Sequence, residues 1–103
     1  IMKVNIFYTT LSSSNTYKEL ANKLLEEKKI ICVNIIKNIE SFYKEDGLIK
    51  TTNESIMIIK TFLSKSKLEK LLMKHHPYDI PFIAKILIDD VNDSYKDWAE
   101  KNL

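Results

Sequence analysis

The segment from His76 to Pro81 constrains the fold more strongly than any other stretch of this sequence, because it holds both prolines of the chain. Pro77 has no backbone N–H and disfavours a helical conformation of the residue before it, so a helix that approaches it must end near His76. Pro81 cannot donate to a sheet ladder and therefore marks the first residue or an edge of a following strand. The segment predicts a helix, a short spacer and a strand in that order.

The composition predicts one folded domain that spans residues 2–103, with Ile1 set apart because it precedes Met2. Hydrophobic residues make up 45% of the chain, which is enough for a core and argues against disorder. The basic residues are all lysine and are nearly balanced by acids. Without arginine for bidentate base contacts, and without a marked basic excess, we expect no nucleic-acid partner.

Cysteine usage and hydropathy bear on the compartment. Cys32 is the single cysteine, so an intramolecular disulfide is impossible. No stretch approaches the roughly 20 apolar residues of a membrane-spanning helix, and no basic segment with a short apolar run opens the chain. We therefore expect a soluble, cytoplasmic protein with no membrane partner.

Hydrophobic periodicity predicts four strands and three helices. The strands are expected over residues 3–9, 30–43, 49–61 and 82–88. The second and third form a long hairpin around Glu45-Asp46-Gly47, where the only glycine permits a tight turn. The order β-α-β-β-α-β plus a C-terminal helix is that of the α+β ferredoxin-like split βαβ fold, an antiparallel sheet with a long central hairpin.

Apolar stripes define the three predicted helices, and short polar residues precede each one. The first stripe consists of Tyr17, Leu20, Ala21, Leu24 and Leu25. The second consists of Leu68, Leu71, Leu72 and His75, and the third of Tyr95, Trp98 and Ala99. The predicted N-caps are the run Ser12 to Ser14, then Ser64, then Asn92 or Asp93.

Five short motifs follow one another along the chain: Cys32-Val33-Asn34-Ile35, Ser41-x-Tyr43-x-x-x-Gly47, Lys60-Thr61, His76-Pro77-Tyr78-x-x-Pro81 and Tyr95-x-x-Trp98. With them the sequence resembles the CutA divalent-cation-tolerance family over essentially its whole length, from Lys3 to Leu103. The resemblance implies a compact ferredoxin-like homotrimer linked to tolerance of copper and other divalent metals, with no obligatory cofactor. The implied partners are further copies of the chain and a metal ion.

The sequence departs from the family pattern at three positions. Glu45 stands where relatives often have tryptophan, and Phe82 stands where they usually have an acid after the second proline. Thr9 aligns with a cysteine that some relatives carry at the end of the first strand, a proposed copper ligand. The resemblance therefore implies an altered site that has one soft ligand fewer.

Cys32 and His76 are the soft or borderline metal ligands at positions that match the family, and Asp79 lies three residues beyond His76. Thiolate suits copper, and imidazole suits copper or zinc. Because one chain offers too few ligands for a closed tetrahedral site, we expect a weak, partly open site shared between subunits. As alternatives, Cys32 is a small buried strand residue, and His75, on the apolar stripe, is expected to pack.

Four further residues form a candidate ligand pocket if the implied trimer assembles: Tyr43, Lys60, Tyr78 and Trp98. The alternative is that the aromatic residues fill core and interface, which we favour for Trp98. Lys60 either holds an anionic ligand or solvates a strand end, and the sequence leaves both open.

No catalytic motif is present. A single glycine excludes a Walker loop and a dinucleotide fingerprint, and the missing arginine argues against an acylphosphatase on the same fold. We expect a non-enzymatic tolerance protein that forms a homotrimer and binds metal weakly. Two alternatives stay open, namely a small-molecule sensor resembling the trimeric PII signalling proteins and a structural adaptor whose trimer displays a partner-binding surface.

Overall fold

A computed structural model describes residues 2–103, and Ile1 lies outside the described residues. Within this range the chain forms the elements β1 (Asn5–Ser12), α1 (Thr16–Leu25), β2 (Ile30–Glu45), β3 (Leu48–Thr61), α2 (Lys65–His75), β4 (Ile83–Ile86) and α3 (Asp93–Lys101). The predicted order of strands and helices is confirmed.

The strands form one antiparallel sheet in the order β2-β3-β1-β4, which confirms the ferredoxin-like split βαβ fold. β1 pairs with β3 from Asn5↔Thr61 to Ser12↔Glu54. On its other side β1 pairs with β4 only from Ile6↔Ile86 to Thr9↔Ile83. Within residues 2–103, the last three residues of β1 therefore have no strand partner on the β4 side.

The core lies between one face of the sheet and the helices α1 and α2. Alternate residues of β1 and β3 point into it, because successive strand residues face opposite sides. The buried side chains are Phe7, Leu11, Tyr17, Leu20, Leu24, Ile30, Met57, Ile59, Leu68 and Leu72. The other face stays largely open and meets α3 at one end, where Lys60 and Ile6 lie beside Tyr95.

The β2–β3 hairpin extends well past the rest of the sheet. Its turn is formed by Asp46 and Gly47, with φ angles of 52° and 77°. Positive φ at both central residues is the signature of a type I′ turn, whose twist matches that of the flanking strands. Residues 48–53 pair with β2 alone, because β1 ends opposite Glu54. We call this two-stranded extension, residues 39–53, the arm.

Element boundaries differ from the predictions in two regions. The serine run does not cap α1: Ser12 closes β1 opposite Glu54, and the N-cap is Asn15, whose side chain makes no capping bond. β4 is shorter than predicted, because Phe82 remains outside the ladder and pairing stops at Ile86. Ser64 caps α2 as predicted, accepting a hydrogen bond from the backbone N–H of Lys67.

Candidate functional site

His76 lies where the chain leaves α2, and its ring joins three parts of the fold. Nδ1 accepts a hydrogen bond from the backbone N–H of Tyr78 at 3.0 Å, so Nε2 carries the proton of the neutral ring. Nε2 lies 3.1 Å from the Thr10 carbonyl oxygen, to which it donates, and 3.1 Å from Thr9 Oγ1. Burial lowers the pKa of His76, although the Thr10 carbonyl and Glu54 partly oppose that shift. The ring is therefore a neutral link between α2, β1 and the following segment.

The segment after His76 carries Tyr78 to the open face of the sheet. The Tyr78 hydroxyl donates a 2.7 Å hydrogen bond to Glu54 Oε2, on β3. Burial, and then the hydrogen bond to Glu54, raise the pKa of Tyr78 far above its usual value of 10.0, so the phenol stays protonated as a donor. The contact fixes the α2–β4 connection, at Tyr78, against the base of the arm.

A groove of about 840 Å³ opens beside this contact, between the arm and the α2–β4 connection. Its aromatic lining residues are Tyr8, Phe42, Tyr43, Tyr78 and Phe82. The rings of Tyr8 and Phe82 meet edge to face, with centroids 6.1 Å apart. The acids in the lining are Glu45, which pairs with Lys50 at 2.7 Å, and Glu54. We call this feature the aromatic groove.

A second, smaller cavity of about 160 Å³ lies at the α3 end of the sheet. Lys60 lines it and holds its ammonium group 5.5 Å from the centre of the Tyr95 ring. Cys32 is the strand partner of Lys60 and is half-buried, and Trp98 stacks at a tilt on Tyr95 with centroids 5.6 Å apart. Just over half of the Trp98 side-chain surface is exposed, so Trp98 does not fill the core of one chain.

The candidate metal ligands are not brought together within one chain. Cys32 pairs with Lys60 on β3, whereas His76 contacts the far end of β1. Two strand spacings and three to four residues along the strands separate them, which is on the order of 15 Å. Asp79 is exposed beyond Tyr78. Among residues 2–103, no three His, Cys, Asp or Glu side chains are grouped to hold a metal ion.

The four predicted pocket residues fall into two separate pairs. Tyr43 and Tyr78 line the aromatic groove, while Lys60 and Trp98 lie with Tyr95 at the α3 end. His75, expected to pack, is half-buried, whereas His76 is the more enclosed of the two histidines.

Sequence reasoning missed Glu54 and the partners of His76 on β1. Glu54 lies 24 positions from Tyr78, and Thr9 lies 67 positions from His76. No local periodicity links such positions. The one available signal was the charge of Glu54 within a β-branched strand, where an acid is unfavourable unless it has a partner.

Comparisons with known proteins bear on this arrangement. The profile of the family described as "CutA1 divalent ion tolerance protein" matches residues 5–102. The chain belongs to the CutA family. It is 36% identical over 103 residues to the divalent-cation tolerance protein CutA of Thermococcus kodakarensis, covering 99% of this chain and 98% of that protein.

Structural similarity within the CutA family is close. The crystal structure of the divalent ion tolerance protein CutA1 from Ehrlichia chaffeensis superposes with a TM-score of 0.86 and 30% identity, covering 98% of this chain and 95% of that one. The chloroplastic CutA protein of Arabidopsis thaliana is 34% identical over 100 residues, which are 94% of this chain. The chain spans only 54% of that plant relative's length.

The family description names tolerance of divalent ions and no catalytic activity. Within residues 2–103, the helices are too short and too polar to cross a membrane.

Proposed function

We propose that this CutA-family chain is a non-enzymatic, cytoplasmic tolerance protein that acts as a homotrimer and binds a divalent cation such as copper weakly, at a site completed between subunits. Membership of the family supports the link to divalent cations. The geometry of the arm supports the assembly, and the dispersal of the candidate ligands supports a shared site.

The arm is the observation that carries the proposal. Its strands pair only with each other beyond Glu54, which leaves both outer edges without a partner in the described chain. A two-stranded hairpin is marginally stable in water by itself. Leu48 and Ile49 near the tip of the arm are nevertheless 63% and 75% exposed. A partner that covers these side chains and pairs the free edges stabilises the arm.

A closed ring of identical chains supplies such a partner without leaving an edge free. Each subunit offers its arm to the next, and each receives an arm in return. Three copies are proposed because the family resemblance implies a trimer, and the elongated single chain, 47 × 27 × 24 Å, provides an arm long enough to reach a neighbour.

The weak affinity of the proposed metal site follows from the state of His76. Both of its ring nitrogens are occupied by bonds within the chain, so a metal ion has to displace the Tyr78 N–H or the Thr10 carbonyl. Thiolate and neutral imidazole are the binding forms, so affinity falls as protonation sets in. Because burial lowers the pKa of His76, that loss should set in at a pH below 6.5, the reference value for histidine.

Light scattering tests the assembly. The parent should give three times the 12.1 kDa chain mass at micromolar concentration, and Ile49→Lys, on the arm, should lower it. Met73→Lys is the matched control, because Met73 is an exposed apolar residue on α2, away from the arm. A parent that scatters as a single chain would disprove the trimer.

Titration calorimetry with Cu²⁺ and Zn²⁺ tests the metal site. His76→Ala should weaken binding more than His75→Ala, which should mainly affect packing. Metal affinity that is equal in His76→Ala and the parent would remove His76 from the site.

A small-molecule sensor is the second candidate function, and the Lys60 cavity favours it. Among the described residues Lys60 makes no ion pair, and its ammonium group lies over Tyr95 at the edge of a cavity. A thermal-shift screen of metals against nucleotides and carboxylates separates the two functions. A true ligand at about 100 Kd adds about 2.7 kcal/mol to the free energy of unfolding.

A further inference from the structure

Glu54 is a carboxylate that the fold nearly buries without a positive partner. Its side chain lies at the base of the arm and only 9% of the residue is exposed. The ion pairs of residues 2–103 involve Glu26, Glu45 and Glu69, and none involves Glu54. The Tyr78 hydroxyl satisfies Oε2 as an acceptor but brings no charge. Buried charges in folded proteins are normally paired, so Glu54 has an unfilled requirement for a cation.

The surroundings of Glu54 suit one particular kind of cation. Glu54 lines the aromatic groove together with five aromatic rings, and no lysine or histidine is among the lining residues. Ring faces carry a negative quadrupole and attract cations within about 6 Å of their centre. Glu45 is already neutralised by Lys50. One uncompensated negative charge therefore lies beside a set of rings, which is the composition of sites for quaternary ammonium groups.

The size of the groove distinguishes an organic cation from a metal ion. Its volume of about 840 Å³ falls in the range of small-molecule sites, roughly 300–1,000 Å³. A bare divalent ion needs several oxygen, nitrogen or sulfur ligands at short range. Across the described residues no such group of three exists, whereas a single carboxylate suffices for a single organic charge.

We propose that the aromatic groove binds a monovalent alkylammonium ion. Its charged head lies beside the Glu54 carboxylate, and its carbon substituents pack on the rings of Tyr78 and Phe82. Tyr78 orients the carboxylate through its hydroxyl while offering its ring to the ligand. The groove is lined by neither Cys32 nor His76, so binding of an alkylammonium ion there is tested separately from the proposed metal site.

Nuclear magnetic resonance titration of the full-length chain, in whatever assembly it forms, tests the proposal with three probes. Choline represents quaternary heads and butylammonium represents primary ones. The third probe is the neutral isostere of choline in which carbon replaces the ammonium nitrogen. We expect choline to shift groove resonances and to bind at least about tenfold more tightly than the isostere. Tighter binding of butylammonium than of choline would also support an alkylammonium site, with primary heads as its preferred class.

Two variants and a control locate the site. Glu54→Gln keeps the shape and removes the charge, and it should weaken choline binding about tenfold. Phe82→Leu keeps an apolar side chain without a ring, and because Phe82 is largely exposed the fold should tolerate it while affinity falls several-fold. Glu40→Gln removes an exposed acid of β2 outside the groove and should leave binding unchanged.

Three results would overturn the proposal. One is that neither ammonium probe shifts groove resonances at millimolar concentration. Another is that choline and its neutral isostere bind equally well, which would make the groove merely apolar. The third is that folded Glu54→Gln and folded Phe82→Leu both bind choline as the parent does.

Discussion

The hydrogen bond between Tyr78 and Glu54 should be one of the largest single polar contributions to the stability of this chain. Tyr78→Phe removes only the hydroxyl oxygen and leaves the ring in place. The lost bond is 2.7 Å long and reaches a carboxylate that is about nine-tenths buried. Hydrogen bonds to charged groups contribute about 1.5–3 kcal/mol. We expect a loss of about 2 kcal/mol in the free energy of unfolding, because Glu54 keeps its desolvation cost and loses its donor.

Urea unfolding followed by circular dichroism measures this loss at a fixed protomer concentration, since association alters apparent stability. A chain of this size should also lose about 4–8 °C in Tm per kcal/mol. Tyr43→Phe is the matched control. Tyr43 lines the same groove but makes no side-chain hydrogen bond within the described residues. Tyr43→Phe should therefore change the free energy of unfolding by no more than about 0.5 kcal/mol.

A double-mutant cycle with Glu54→Ala isolates the pair, because alanine removes the acceptor that glutamine would keep. Residues in direct contact show coupling energies of about 0.5–3 kcal/mol, and we expect about 1–2 kcal/mol here. A Tyr78→Phe variant that unfolds at the parent's urea midpoint would refute the reasoning. A coupling energy near zero would show that Glu54 is stabilised by something other than this hydroxyl.

Three further predictions concern stability. Gly47→Ala should lower the free energy of unfolding in urea by about 1–2 kcal/mol, because the φ of 77° at Gly47 is left-handed. No clash adds to this cost, since no atom lies within 4 Å of a Cβ at this position, and Asp46→Asn should be tolerated. Ser55→Ala should be neutral or stabilising by up to about 1 kcal/mol, because the buried Ser55 hydroxyl has no partner within residues 2–103; a clear loss would reveal one. Burial lowers the pKa of His76, so the unfolded chain gains its proton first; Tm should fall as pH drops below about 6.5, and less so in His76→Gln.

Hydrophobic periodicity correctly predicted the helices and strands that have one buried and one exposed face. Of the predicted first stripe, Tyr17, Leu20 and Leu24 are buried and Ala21 packs against the core, whereas Leu25, in the last turn, is 48% exposed. The hairpin follows from its β-branched strands and its glycine. The prediction that the run Ser12 to Ser14 caps α1 was wrong for a physical reason. The ladder with β3 holds Ser12 in the sheet, and α1 begins only at Thr16, which leaves Asn15 rather than a serine at the N-cap position.

The candidate site was only partly predictable. The prolines located the α2–β4 connection, and the motifs pointed to Tyr43, His76 and Tyr78. The bond from Tyr78 to Glu54 depends on where the connection crosses the sheet, which no local pattern encodes. Likewise, the sequence shows His76 as an available ligand, whereas the fold occupies both of its nitrogens.

Because β4 is short, part of the β1 edge is unpaired in the described chain and open to aggregation, and His76 lies at this edge. Beyond Thr9, β1 has no strand on its β4 side within residues 2–103, and an uncovered strand edge is a template on which another chain can polymerise. The imidazole bonds the Thr10 carbonyl at this edge and occupies the place of a strand donor. We expect this side chain to hinder the addition of a further strand at the edge, so His76→Ala should aggregate faster than the parent on storage.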